Sequence, residues 1–380
     1  MASGAVRSRA RTFDFDLNGH VGVRLIDADA RDRARVVAQL GPIEASFDRE
    51  PDITVRFVDR MEHGPLTYVA LGESAFDDRS FVLLSGAGRL KARAQIPFGD
   101  IGGRCEIVCE RALPAVPHLV AIVNMTALAK GVLPLHASAF VQDGRGVLVT
   151  GWAKGGKTEA LLAFMQRGAR YIGDEWVYLT PDGDMFGIPE PIRLWRWQLR
   201  QMPNLGARTS RSDRLRITLL DAFAGAADRL APRRGGGFAG AALRRAVPVI
   251  RKQVNLRVPP SRLFGADRVH GPAPVDTVVF VSSHERPDVT IEETDGAEVA
   301  GRMSASLEHE RHALLEAYRQ FRFAFPDRRS EAVEHAAEIE ARLLERALTG
   351  RRVAWLRHPY PCEIDALFHP IAALLADPRR

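Results

Sequence analysis

The stretch GWAKGGKTEALL, residues 151–162, decides how the rest of the chain is read. It fits G-x-x-x-x-G-K-[ST], with Gly151, Gly156, Lys157 and Thr158 at the fixed places. Glycine is needed at both ends of the loop because a Cβ would obstruct either the turn or the approach of a phosphate. The pattern predicts a strand over 147–150, a turn whose backbone N–H groups point at phosphate oxygens, and a helix whose positive end completes the cradle. Lys157 is then placed to reach the β- and γ-phosphates of a nucleotide, and the Thr158 hydroxyl to bind Mg²⁺. Trp152, Ala153, Lys154 and Gly155, with Glu159 just beyond, complete the candidate cofactor-binding loop.

Working outward, LPLHASAFV and GVLVTG flank QDGRG, an Asp-Gly turn between two β-type runs, so a hairpin leads into the loop. Downstream, KTEALLAFMQRGA has a helical pattern that stops at Gly168, and short strands are expected around GDEW and the turn PDGD. GDEW carries the second chemical signal, the adjacent acids Asp174 and Glu175. Phosphoryl transfer needs one carboxylate to hold a metal and another to accept or orient the proton of an attacking hydroxyl. His136, on the strand before the hairpin, faces the same pocket if that strand runs beside the loop's own strand.

Together, LPLHASAFVQDGRGVLVTGWAKGGKTEALLAFMQRGARYIGDEWVYL resembles the catalytic domain of HPr kinase/phosphorylase and the broader HPr-kinase-like serine kinases. The shared order is a histidine on a strand, a hairpin, a phosphate loop ending in Gly-Lys-Ser/Thr-Glu, a helix ending in Arg-Gly, then paired acids. A related nucleotide core with an acidic pair occurs in phosphoenolpyruvate carboxykinase, a more distant relation. The resemblance implies that Gly151 to Thr158 bind ATP phosphates and that Thr158 helps to hold Mg²⁺. It further implies Asp174 as proton acceptor, Glu175 as metal ligand or electrostatic support, and His136 as an aid to the pair. The second acid is Glu where the family usually has Asp, which leaves the metal and base roles of Asp174 and Glu175 exchangeable. The segment after the acids lacks the glycine-rich signature of the bifunctional enzymes, so HPr itself and a reverse reaction are not implied.

Substrate contacts are sought in PEPIRLWRWQLR, where Arg193 and Arg196 flank Trp195, and in RKQVNLRVPPSRLF, which offers Lys252 and Arg257. A cation at the transferring phosphoryl group contributes about 10³–10⁵ in rate. Charge is concentrated there: residues 190–275 hold 17 Lys plus Arg against 5 Asp plus Glu, although the whole chain carries only +6. The surplus suits an anionic partner. No recognition helix or aromatic single-strand platform argues for nucleic acid.

At 380 residues and 46% apolar, the chain is long enough for two ordinary domains. The reading is an α/β protein: a P-loop nucleotide-binding domain of HPr-kinase type, preceded by a smaller β-rich domain. Residues 1–11 read as a disordered start and 12–112 as the β-rich N-terminal domain, with one helix capped by Asp27 or Asp29 and stopped at Gly41. Residues 113–300 form the kinase domain, entered by a buried helix over 117–131 and interrupted by a mobile Gly/Arg-rich loop at 229–246. Residues 301–380 are expected to be a C-terminal helical region packed on it. Three cysteines support neither a disulfide framework nor a zinc site. No apolar run reaches the roughly 18 residues that span a bilayer, and no signal-peptide core follows the start, so no membrane partner and a cytoplasmic location are expected. The expected activity is ATP- and Mg-dependent transfer to a hydroxyl acceptor on a peptide, small protein or metabolite. A nucleotide-sensing regulator is the alternative, and self-association is left open.

Overall fold

The structure, a computed structural model, describes residues 11–69, 72–85, 92–230, 255–269 and 271–377. The alternating runs of the first part pair as an eight-stranded sheet: β1 (Arg11–Leu17), β2 (Val21–Ala28), β3 (Ile53–Val58), β4 (Thr67–Val69), β5 (Ser74–Phe76), β6 (Phe81–Ser85), β7 (Ala92–Gln95) and β8 (Cys105–Glu110). Its order is β1-β2-β3-β8-β7-β6-β5-β4. Helix α1 (Ala30–Leu40) connects the parallel neighbours β2 and β3. Of the two caps the sequence offered, Asp29 is the one used: it accepts from Arg31 and Asp32 N–H, Asp32 returns the bond, and Gly41 at φ 69° ends the helix.

The second sheet contains β9 (Leu133–Gln142), β10 (Arg145–Thr150), β11 (Arg170–Gly173), β12 (Trp176–Leu179), β13 (Asp184–Gly187), β16 (Ala273–Pro274), β17 (Thr277–His284), β18 (Thr290–Glu293) and β19 (Arg352–Pro359). The order is β16-β13-β12-β9-β10-β17-β19-β18, with β11 also on β9. Strands β10, β17 and β19 are parallel, and the others antiparallel. β14 (Ile192–Trp195) and β15 (Asn255–Val258) make a separate two-stranded ribbon. The expected hairpin is present: Gln142 pairs with Arg145 across Asp143 (φ 50°) and Gly144 (φ 81°), the two left-handed residues that match strand twist in a two-residue turn.

Helices cover both faces of this second sheet, which is why its central strands are largely apolar, His136 and Ser138 of β9 being exceptions. On one side lie α2 (Leu119–Ala129), α5 (Gly296–Ala324) and α6 (Ala336–Leu348); on the other, α3 (Lys157–Met165), followed in sequence by the short α4 (Arg196–Gln201). The first side is one continuous core that joins the two sheets, from Phe15, Phe57 and Phe98 through Ile122 of α2 to Leu135, Tyr178 and Val278. The first sheet therefore shares its interior with the second.

One expectation is corrected. Residues 301–380 are not simply helical, because β19 lies between β17 and β18 and completes the sheet. RVAWLRHP hid this because Arg352, Arg357 and His358 leave only a four-residue apolar run, Val353 to Leu356, between charged ends. The Gly/Arg-rich stretch expected at 229–246 follows a helix, Arg211–Leu230, and from residue 231 lies outside the described residues. Among the described residues no helix is long and apolar enough to cross a membrane.

Candidate active site

Three parallel strands end at one edge, the place where open α/β sheets bind ligands. The loop after β10 sits there. Gly151 (φ 153°) has no room for a side chain, since a Cβ would stand 2.4 Å from the Val281 carbonyl of β17. At Gly156 (φ 110°) a Cβ would stand 2.2 Å from Nε2 of His358, delivered by β19. His358 Nε2 bonds the Gly155 carbonyl at 2.8 Å, so the loop rests on a buried imidazole. Lys154 is exposed at φ 63°, and Trp152, also exposed, stacks on His309 of α5 with ring centroids 4.9 Å apart. Ala153 lies between them, half-buried.

Helix α3 begins at Lys157 behind Gly156, which offers no side chain to cap it, so the first turn presents an uncapped positive end. Lys157 is buried, and its Nζ folds back onto the carbonyls of Gly151 at 3.1 Å and Trp152 at 3.0 Å. Burial lowers its pKa, against the opposing pull of Asp174 and Glu175. Glu159 points away from the loop to accept from Gln198 of α4 at 2.8 Å.

The acids follow β11. Asp174 is buried; it accepts from Ser138 Oγ of β9, and Thr158 Oγ1 lies 3.1 Å from each of its oxygens. Burial, then the neighbouring Glu175 charge, raises its pKa to about 7, outweighing the Ser138, Thr158 and Lys157 contacts. Glu175 turns the other way, because its backbone is left-handed at φ 69°. Its Oε2 meets His136 Nε2 at 3.0 Å, and His136 Nδ1 meets Glu310 Oε1 of α5 at 2.5 Å. Burial pushes His136 down, but the two carboxylate bonds prevail and its pKa is raised. The bond to His136 in turn lowers the pKa of both Glu175 and Glu310. Register explains the meeting, since Trp176 of β12 pairs with His136 of β9.

A further acid completes the cluster. Burial, then the charges of Glu175 and Asp174, pushes Glu190 up to about 8, and its Oε1 has no hydrogen-bond partner among the described residues. Glu190, Glu310, Ser138 and His358 escaped the sequence reading. Only Ser138 was within reach, two residues from His136 on one strand and so on the same face.

Of the basic candidates, Arg193 and Arg257 are direct cross-strand partners in the β14–β15 ribbon. The Arg193 charge acts on Glu175 and the Arg257 charge on Glu190, so the ribbon brings both toward the acids. Arg196 begins α4, where its charged neighbour is Arg200, and Lys252 lies outside the described residues.

The donor set fits a nucleotide–metal pair. Among the described residues no three His, Cys, Asp or Glu side chains gather as a metal cage. Mg²⁺ is commonly held by one or two carboxylates plus phosphate oxygens, and Thr158 with Asp174 or Glu175 could supply that smaller protein share.

The left-handed backbone at residue 175 predicts an inverted stability order. Glu175→Gly is expected to be more stable than Glu175→Ala by about 1 kcal/mol, because only glycine adopts this conformation without strain. Urea unfolding of the two variants measures the difference, and an Ala variant equal to Gly removes the strain.

No family model matches the chain, and no curated protein matches it. Among solved structures it is similar to the Hpr(Ser) kinase/phosphatase from Coxiella burnetii, at 16% identity over 42% of this chain and 76% of that one, with a TM-score of 0.18. A likeness of that extent determines nothing about this chain's chemistry.

Proposed function

We propose that the protein transfers the γ-phosphoryl group of ATP, with Mg²⁺, to a hydroxyl acceptor, the serine of a peptide or small protein being the class its motifs favour. One observation carries this reading: a buried acid, Asp174, is bonded to the phosphate-loop threonine, in the same site as the loop lysine. A bound Mg²⁺ would supply charge neutralisation at the transferring phosphoryl group. Thr158 and Glu175 would hold the ion, which leaves Asp174 for the acceptor hydroxyl. Lys157 exchanges its loop carbonyls for phosphate oxygens, a stronger charge-assisted contact. Asp174, titrating near neutrality, orients the acceptor hydroxyl and takes its proton. His136, held between two carboxylates, fixes Glu175 in place. Arg193 and Arg257 supply the cations that draw an anionic group toward the acids.

The test is incubation with γ-labelled ATP and Mg²⁺ in an extract of the source cells, with Lys157→Ala as control. Label in a protein or peptide that the control lacks supports the proposal. Label only in a small organic compound makes the acceptor a metabolite. Bound ATP with no labelled acceptor sinks transfer and leaves a nucleotide sensor.

A further inference from the structure

Beside His136 lies a cavity of about 170 Å³, enclosed by α2, β9, β12, α5 and α6. Most of its wall is apolar, from Val120, Ala121, Met125, Pro134, Trp176 and Leu307. The amide of Asn124, whose Oδ1 accepts from the Tyr178 hydroxyl, and three ionisable side chains also line it. Arg311 and Glu340 form an ion pair, 7% and 2% exposed, and Glu310 is the carboxylate bonded to His136. Arg311 Nε has no hydrogen-bond partner among the described residues.

These features define an occupant. Apolar cavities of about 150 Å³ hold a benzene-sized molecule. An orphan buried donor calls for an acceptor oxygen. A carboxylate or phosphate is disfavoured, because Glu310 and Glu340 already stand in the wall, and the one cation there is engaged by Glu340. The matching class is an uncharged ring or branched aliphatic compound with a single hydroxyl or carbonyl oxygen. Such a molecule touches Glu310 on one side of His136 and Trp176 on the other, where the Trp176 ring centroid is 6.0 Å from the imidazole.

We propose that this cavity is an effector site for a small uncharged, largely apolar molecule, and that its occupancy shifts His136 between Glu310 and Glu175. The regulatory half rests on the reading of the acid cluster as the reacting centre; the binding half does not.

The full chain is titrated with 4-fluorobenzyl alcohol and followed by ¹⁹F NMR, while ¹⁵N imidazole signals report on His136, assigned with His136→Gln. Expected are saturable line broadening reversed by unlabelled benzyl alcohol, a displaced His136 signal, and about tenfold weaker binding in Ala121→Phe, which fills the half-buried mouth. Val120→Phe fills it from the adjacent position should the first variant not fold. A non-saturable response in the folded parent, or unchanged affinity in the folded filled variants, overturns the site. Saturable binding with an unmoved His136 signal overturns the coupling. If binding and the His136 shift persist but no acceptor is ever phosphorylated, the kinase reading and the regulatory half fall together and the binding site stands.

Discussion

Asp174→Asn will fold, will be more stable than the parent at pH 8 by about 1–3 kcal/mol, and will lose about 10²–10⁴ of its transfer rate. The two effects share one cause. The folded-state pKa of Asp174 is raised from 3.8 to about 7, so the native protein binds this proton more tightly than the unfolded chain does. The stability this contributes is fully present below about pH 3.8 and is lost as pH rises through about 7. Above that pH the parent buries a charge beside Glu175, and the neutral amide removes it. Activity runs in the opposite direction, since a base accepts a proton only once it has lost its own. Transfer should therefore rise about tenfold per pH unit on the acid side and level off once Asp174 has lost its proton, at a pH that the charge of a bound Mg²⁺ draws below about 7. Urea melts at pH 5 and pH 8, with initial rates across the same range, measure both. A variant that is active and no more stable at pH 8 removes Asp174 from the proposed role.

Gly156→Ala is expected to cost about 2–5 kcal/mol and to abolish nucleotide binding, with backbone strain and overpacking acting together. The added methyl would lie against His358 Nε2 in a backbone that L-residues rarely adopt. Gly144→Ala separates the contributions: at φ 81° its Cβ meets nothing within 4 Å, so it bears strain alone, about 1 kcal/mol. His358→Ala in the Gly156→Ala background should recover the steric part and leave the strain. Chemical denaturation and ATP titration of the four proteins check this. Equal losses at positions 144 and 156 would show that the imidazole beneath the loop imposes no constraint.

What was legible in the sequence was what is local. The loop, its hairpin and the acid pair lie within about fifty residues, and each is fixed by turn chemistry or spacing that neighbouring residues carry. His136 could be placed only on the condition that its strand runs beside the loop's own strand, a condition that the β9–β10 pairing meets. Glu310, Glu190 and His358 were not legible, since nothing around them distinguishes a site residue from a surface one until the fold assembles them. β19 was lost for a related reason: parallel pairing with β17 joins segments with no adjacent turn to announce it. Nor did composition reveal that the first sheet shares its core with the second, because apolar alternation shows that a face is buried and not against what.

His358 supports the loop from 203 residues downstream of Gly155. During synthesis the loop after β10 therefore emerges long before the strand that supports it. A nascent chain can form the β9–β10 hairpin and α3 early, but the loop between them takes its final shape only after β19 has been synthesised. Contacts of such sequence separation slow folding. Prematurely terminated chains should thus be unable to sequester ATP, however complete their motif.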